Sequence, residues 1–253
     1  MRNAKRSIPA ALATALLAGA CGPREPQEDP RALTETAKVE PWLLCDAINQ
    51  PVLLIGHRAK PSGAMLITVY SKAGESAAQT LPITLGVEEG AAGSVYRALL
   101  RDGTNVGHVR TLNPGMLEDP NDAYTAPVAS VRMNSQDYSC RWLARTRFAG
   151  FTARRSIFIT QDADGDLIYQ TFDFADAAAS LDLGEGQRST LFSVEVRDGR
   201  ESTTPDGQTF AFENDGYRYE IWAPNAAQGR LSILRDGREV QSEPFIAFQT
   251  GPR

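Results

Sequence analysis

From residue 41 onward the chain is built of short apolar or alternating runs, each closed by glycine, asparagine or aspartate. Val52 to Ile55 and Met65 to Tyr70 read as strands, joined by the turn-like Lys60-Pro61-Ser62-Gly63. The runs from Ser94 to Leu100 and from Val106 to Leu112 flank Asp102-Gly103 and predict a hairpin. The stretches 129–133, 138–146, 156–160 and 167–172 continue the series. Asp-Gly itself occurs at 102, 164, 198, 206, 215 and 236. It is a strong hairpin signal because both central positions of the tight turn want positive φ. Alternation is cleanest near the end: Phe192, Val194 and Val196 against Ser193, Glu195 and Arg197, then Phe210 and Phe212, Tyr217, Tyr219 and Ile221, and Leu231 and Ile233. A period of two gives a strand one buried and one wet face. Residues 190–248 therefore predict a meander of five or six strands.

The expected fold is mainly β, with antiparallel sheets in a sandwich or barrel-like arrangement and one or two short helices. One helix is expected over 30–38, with Asp29-Pro30 as its cap and first residue. The other, or a plain connector, covers 174–183. The loop Gly184-Glu185-Gly186 follows it and suggests a boundary, dividing a main β domain (41–183) from a C-terminal meander (184–253). Arg-Asp-Gly-Arg-Glu appears at 197–201 and again at 235–239, and either a repeated module or convergent turn chemistry would produce that echo.

The first forty residues have a different character. Arg2, Lys5 and Arg6 precede an apolar stretch from Ile8 to Leu17, about half the 20 or so residues that a bilayer core requires. A charged start, a short apolar middle and small residues at the exit are the parts of a secretory signal, here 1–20. The exit, Leu17-Ala18-Gly19-Ala20-Cys21, resembles the lipobox of bacterial lipoproteins. That resemblance implies cleavage before Cys21 and a lipid on its thiol. It also implies membrane attachment and, with Gly22 rather than aspartate next, the outer membrane facing the periplasm. Residues 21–40 then form the lipidated tether, polar and proline-containing at 22–29, which suits an extended linker.

Removing the signal takes away three of 26 basic residues and none of 31 acidic ones, leaving 23 against 31, a charge of −8. Such a surface disfavours nucleic acid, which wants a basic face. With Cys21 acylated, Cys45 and Cys140 remain as an even pair. Neither has a neighbour at metal-ligand spacing, so an oxidising compartment predicts a disulfide between them, with Trp42 and Trp142 packed nearby.

No cofactor or metal centre is expected. The two histidines, His57 and His108, each follow a glycine at the end of an apolar strand, and no nucleophile motif accompanies them. Asp162-Ala163-Asp164-Gly165-Asp166 has acidic residues at alternate positions, but Leu167 stands where a calcium loop needs glycine, and strands flank it. The basic concentration of the chain is Arg141, Arg145, Arg147, Arg154 and Arg155, interleaved with Trp142, Phe148 and Phe151. On one continuous strand, 141, 145 and 147 would share a face, a candidate patch for an anion or glycan.

The segment 138–174 resembles uncharacterised lipoproteins of proteobacteria. Tyr219-Glu220-Ile221-Trp222 and Leu231-Ser232-Ile233 resemble the aromatic strands of small β-domain lipoproteins that inhibit lysozyme, although their Ser-Gly-x-x-Tyr loop is absent. Three functions follow as expectations. The first is a non-enzymatic envelope lipoprotein binding a protein or glycan partner. The second is a lysozyme-type inhibitor, and the third an envelope hydrolase whose site has no recognised motif.

Overall fold

The structure, a computed structural model, describes residues 41–57, 62–74, 78–117, 119–176, 192–225 and 227–251. The signal, Cys21, the tether and the helix expected over 30–38 lie outside these residues, as does most of the 174–183 connector. What is described is antiparallel β throughout, in two sheets.

The first sheet holds β1 (Leu43–Asp46), β2 (Val52–Gly56), β3 (Ala64–Ser71), β4 (Gln79–Ala91), β5 (Ser94–Arg101), β6 (Thr104–Leu112), β7 (Val128–Met133) and β8 (Gln136–Ser139). Each strand pairs with the next, and the sheet curls until its ends meet in a nearly closed barrel. At the seam Ala47 bridges Cys140, the Arg141 N–H donates to the Asp46 carbonyl at 2.8 Å, and the Ile48 N–H donates to that of Ser139 at 2.8 Å. Eight strands enclose a space that side chains can fill. Leu43, Leu54, Ile67, Leu99 and Val131 fill it here. The Cys45–Cys140 disulfide lies in the same core, with Cα atoms 4.9 Å apart. The expected bridge is thus also the clasp of the barrel. Trp42 packs on this core, whereas Trp142 is half-buried away from it.

The second sheet runs through β9 (Thr146–Phe151), β10 (Arg155–Gln161), β11 (Leu167–Asp173), β12 (Val194–Thr204), β13 (Gly207–Asn214), β14 (Tyr217–Pro224), β15 (Arg230–Arg235) and β16 (Arg238–Pro244). The last strand, β17 (Ala247–Thr250), returns to pair with the free side of β9. The sheet bends into a half-barrel around Phe148, Ile157, Tyr169, Phe210, Phe212 and Ile221. Its outer face carries Ala149, Phe151, Phe158 and Phe172, packed against Leu44, Leu53, Ile55 and Tyr70 on the outside of the barrel. Two buried faces explain why Ile157-Phe158-Ile159 is continuously apolar while the exposed meander alternates.

Three expectations need correction. The sheets divide at residues 140–145, not at 184, because β11 and β12 pair with each other across the connector. The predicted strand 138–146 is interrupted at the same place. Arg145 turns to φ +55° there, so that the chain leaves the barrel and enters the half-barrel. The echo is not a repeated module. At 236–237 Asp-Gly forms a hairpin turn (φ +51° and +74°), whereas at 198–199 it lies within β12. There the register against β11 shifts, and β12 passes from pairing with β11 to pairing with β13. The other four Asp-Gly pairs do join consecutive strands. The helical content among the described residues is two short 3-10 turns, Pro114–Met116 and Pro120–Asp122.

Candidate functional site

A polar concavity is set into the outside of the barrel, where β6 is distorted. Pairing between β5 and β6 slips by one, since Leu99 faces Gly107 while Leu100 faces Asn105, leaving Val106 as the extra residue of a bulge. Bulges bend a strand and re-aim its side chains. Gly107 has φ +152°, and a Cβ on it would fall 1.9 Å from the Arg132 carbonyl oxygen, so only glycine lets β6 run so close to β7. The Gly107 N–H donates to Asn105 Oδ1 at 2.9 Å, which occupies the amide oxygen and leaves the amide NH2 as a donor. Next to it, β7 turns into β8 through Asn134 (φ +51°) and Ser135 (φ +65°), and the Asn134 N–H donates to the Val106 carbonyl at 2.9 Å.

Bulge and turn together frame a shallow cleft of about 460 Å³ lined by Asn105, Gly107, His108, Arg132, Asn134 and Ser135. His108 and Arg132 are cross-strand partners, and the imidazole stands edge-on to Tyr96 with centroids 5.2 Å apart. The Arg132 side chain is 54% exposed and lies 3.8 Å from the Asp137 carboxylate. Strand direction alternates around the meander, which puts the β5–β6 and β7–β8 turns at one end of the barrel. Pro41, where the described chain begins, sits at the other end.

No known protein family, curated protein or solved structure matches this chain.

The five arginines singled out in the sequence do not converge on one surface. Arg141 is buried, its Nε 2.8 Å from Asp46 and its guanidinium 3.6 Å from the centre of the Phe172 ring. Lys72 completes that cluster, 2.5 Å from the other Asp46 oxygen and 2.6 Å from the Ala47 carbonyl. Burial lowers the Lys72 pKa, and the Asp46 charge opposes that shift. Arg145 pairs with Asp122 at 2.6 Å and fixes the 120–122 turn to the second sheet. Arg147 pairs with Glu201 at 2.9 Å. Arg155 lies on the inner face of the half-barrel between Asp173 (3.2 Å) and Glu243 (3.3 Å). Desolvation raises the Asp173 pKa against the pull of Arg155. Beside them the Tyr169 hydroxyl is fully buried without a hydrogen-bond partner, and burial pushes its pKa far above the usual tyrosine range. Arg154 alone is exposed. The faces predicted for 141, 145 and 147 assumed a continuous strand, and the crossing at 140–145 removes that premise.

His57 follows β2 and His108 lies in β6, with three strands between them in the sheet, so they form no shared base pair. In the 162–166 loop the carboxylate of Asp162 accepts from the Asp164 and Asp166 N–H groups at 3.0 and 2.9 Å, organising the turn. Of the cleft residues, sequence reading singled out only His108. The available signals for the rest were glycine inside a strand pattern at Asn105-Val106-Gly107 and the Asn134-Ser135 turn.

Proposed function

We propose that this chain is a lipid-anchored protein of the cell envelope that acts without catalysis, holding an envelope protein or glycan against its barrel. Cleavage before Cys21 and acylation of its thiol fix the protein to the outer membrane, facing the periplasm. Three features support the export reading: the charged and apolar leader, the lipobox-like exit, and the Cys45–Cys140 bridge, which suits an oxidising compartment.

The observation that carries the binding reading is the position of the cleft. It opens at the end of the barrel remote from Pro41, the first described residue, which follows the expected tether in sequence. A scaffold built to present one end to a partner has this layout.

Crosslinking in intact cells, followed by purification and mass spectrometry, tests both halves. The wild-type chain should fractionate with membranes and retain a crosslinked partner. Cys21→Ser should release it from the membrane fraction. Arg132→Glu should leave it membrane-bound and remove the partner. An unchanged crosslink in Arg132→Glu would discard the cleft as the contact surface.

A further inference from the structure

We infer that the cleft between the β6 bulge and the β7–β8 turn binds an acidic saccharide, with Arg132 pairing the acid group and the short amide and hydroxyl side chains reading the ring hydroxyls. The inference rests on the binding reading above and gives it a ligand class. The size comes first: about 460 Å³ lies in the range of small-ligand sites. The donor balance comes next. Asn105 has its oxygen bonded inside the bulge, so it presents N–H groups outward. Asn134 and Ser135, on left-handed turn residues, add short side chains at the rim. Groups this short and this close together suit a ligand with several oxygens on a small frame, which a sugar ring provides.

The acid preference comes from Arg132. At 3.8 Å its contact with Asp137 is too long for a hydrogen bond, so the guanidinium fork stays open towards the cleft. A planar fork matches a carboxylate bidentately, and such a pair is stronger than a neutral hydrogen bond. The flat wall is supplied by the His108 ring, held edge-on by Tyr96, with Val106 beside it. That gives a sugar its apolar C–H face on one side and donors on the other. Gly107 completes the arrangement, because the lack of a side chain there lets β6 lie against the β7 backbone and so sets Asn105 and His108 beside Arg132.

Calorimetric titration of the full chain in detergent with a galacturonate trisaccharide, the matching neutral galactose trisaccharide, and inorganic phosphate tests this. Saturable binding of the galacturonate is expected, weakened about tenfold or more in Arg132→Gln and abolished in Ser135→Asp, which sets a carboxylate against the ligand. The neutral sugar should bind at least tenfold more weakly, and phosphate alone should compete poorly. Both variants alter exposed positions, and an unchanged thermal midpoint will show that they fold. Equal binding of the neutral sugar, insensitivity to Arg132→Gln, or full replacement by phosphate would each overturn the acidic-saccharide assignment. If no saccharide binds while the crosslinked partner is still lost in Arg132→Glu, the ligand class fails and the partner reading stands. If no partner is crosslinked either, both fail.

Discussion

At the scale of single residues, the physical setting of a side chain rather than its type decides its role. His57 illustrates this. Its backbone N–H donates to the Leu66 carbonyl at 2.9 Å, while its Nε2 is enclosed without a hydrogen-bond partner. Burial lowers its pKa from the usual 6.5. A lowered pKa means that the folded chain binds fewer protons than the unfolded one between the folded value and 6.5. The associated stability is therefore fully present above pH 6.5 and is lost as pH falls through the folded pKa. The thermal midpoint should drop as pH is lowered from 7.5 to 5, and His57→Asn should flatten that slope. An equally steep slope in the variant would assign the pH dependence to other groups. The arginines make the complementary point. Their chemistry was legible, but Arg141, Arg147 and Arg145 find their carboxylates 95, 54 and 23 positions away. Local spacing carries no trace of such partners. Only the fold shows that a run of arginines in sequence is four side chains paired with different carboxylates and one exposed side chain.

At the scale of elements, most strands were legible because one face of each is wet and the alternation survives. The misjudged segments are those where that condition fails. β1 is buried along its whole length in the seam. β4 is exposed over much of its thirteen residues, so its pattern is diluted. The crossing at 140–145 looks like a strand because it inherits apolar neighbours from both sheets. The repeated Arg-Asp-Gly-Arg-Glu gives a direct test of context. A Cβ on Gly199 would lie 2.0 Å from Phe212 Cε1, inside the half-barrel core, whereas one on Gly237 meets nothing within 4 Å but sits at φ +74°. Gly199→Ala should cost about 1–3 kcal/mol or more through overpacking. Gly237→Ala should cost only the left-handed penalty of about 1–2 kcal/mol. Urea unfolding midpoints of the two variants measure this, and a larger loss at 237 would contradict the assignment of a turn there and a bulge at 199. The cleft was half legible on the same grounds: a glycine within a strand pattern marks a distortion, but not what the distortion frames.

At the scale of the whole molecule, two sheets invite the view that the chain is two independent units, and the packing between them argues otherwise. The outer faces of β1–β3 and β9–β11 share one apolar cluster. At its margin Asp46, from the barrel, holds Lys72 and Arg141, and these cations lie over Phe174 and Phe172 from the second sheet. Removing one member of a buried ion cluster leaves the others uncompensated and costs about 3–5 kcal/mol. Loss of the disulfide would cost a similar amount, about 4–5 kcal/mol for a loop of 95 residues, but in the chain-entropy model it acts through the unfolded state. The two routes are separable. Trp42 reports on the barrel and Trp222, on β14, on the half-barrel, so variants retaining one tryptophan at a time give each sheet its own fluorescence signal. With the cluster intact, both signals should unfold at one denaturant concentration. Asp46→Asn should lower both together and speed unfolding, because the damage is to native contacts on both sides of the junction. Cys45→Ser with Cys140→Ser should lower both with most of the change in the folding rate, since its main effect is on the unfolded chain. Separate midpoints for Trp42 and Trp222 in the otherwise unaltered chain would mean that the sheets fold independently. The Asp46 cluster would then be a local contact rather than the joint that makes them one unit.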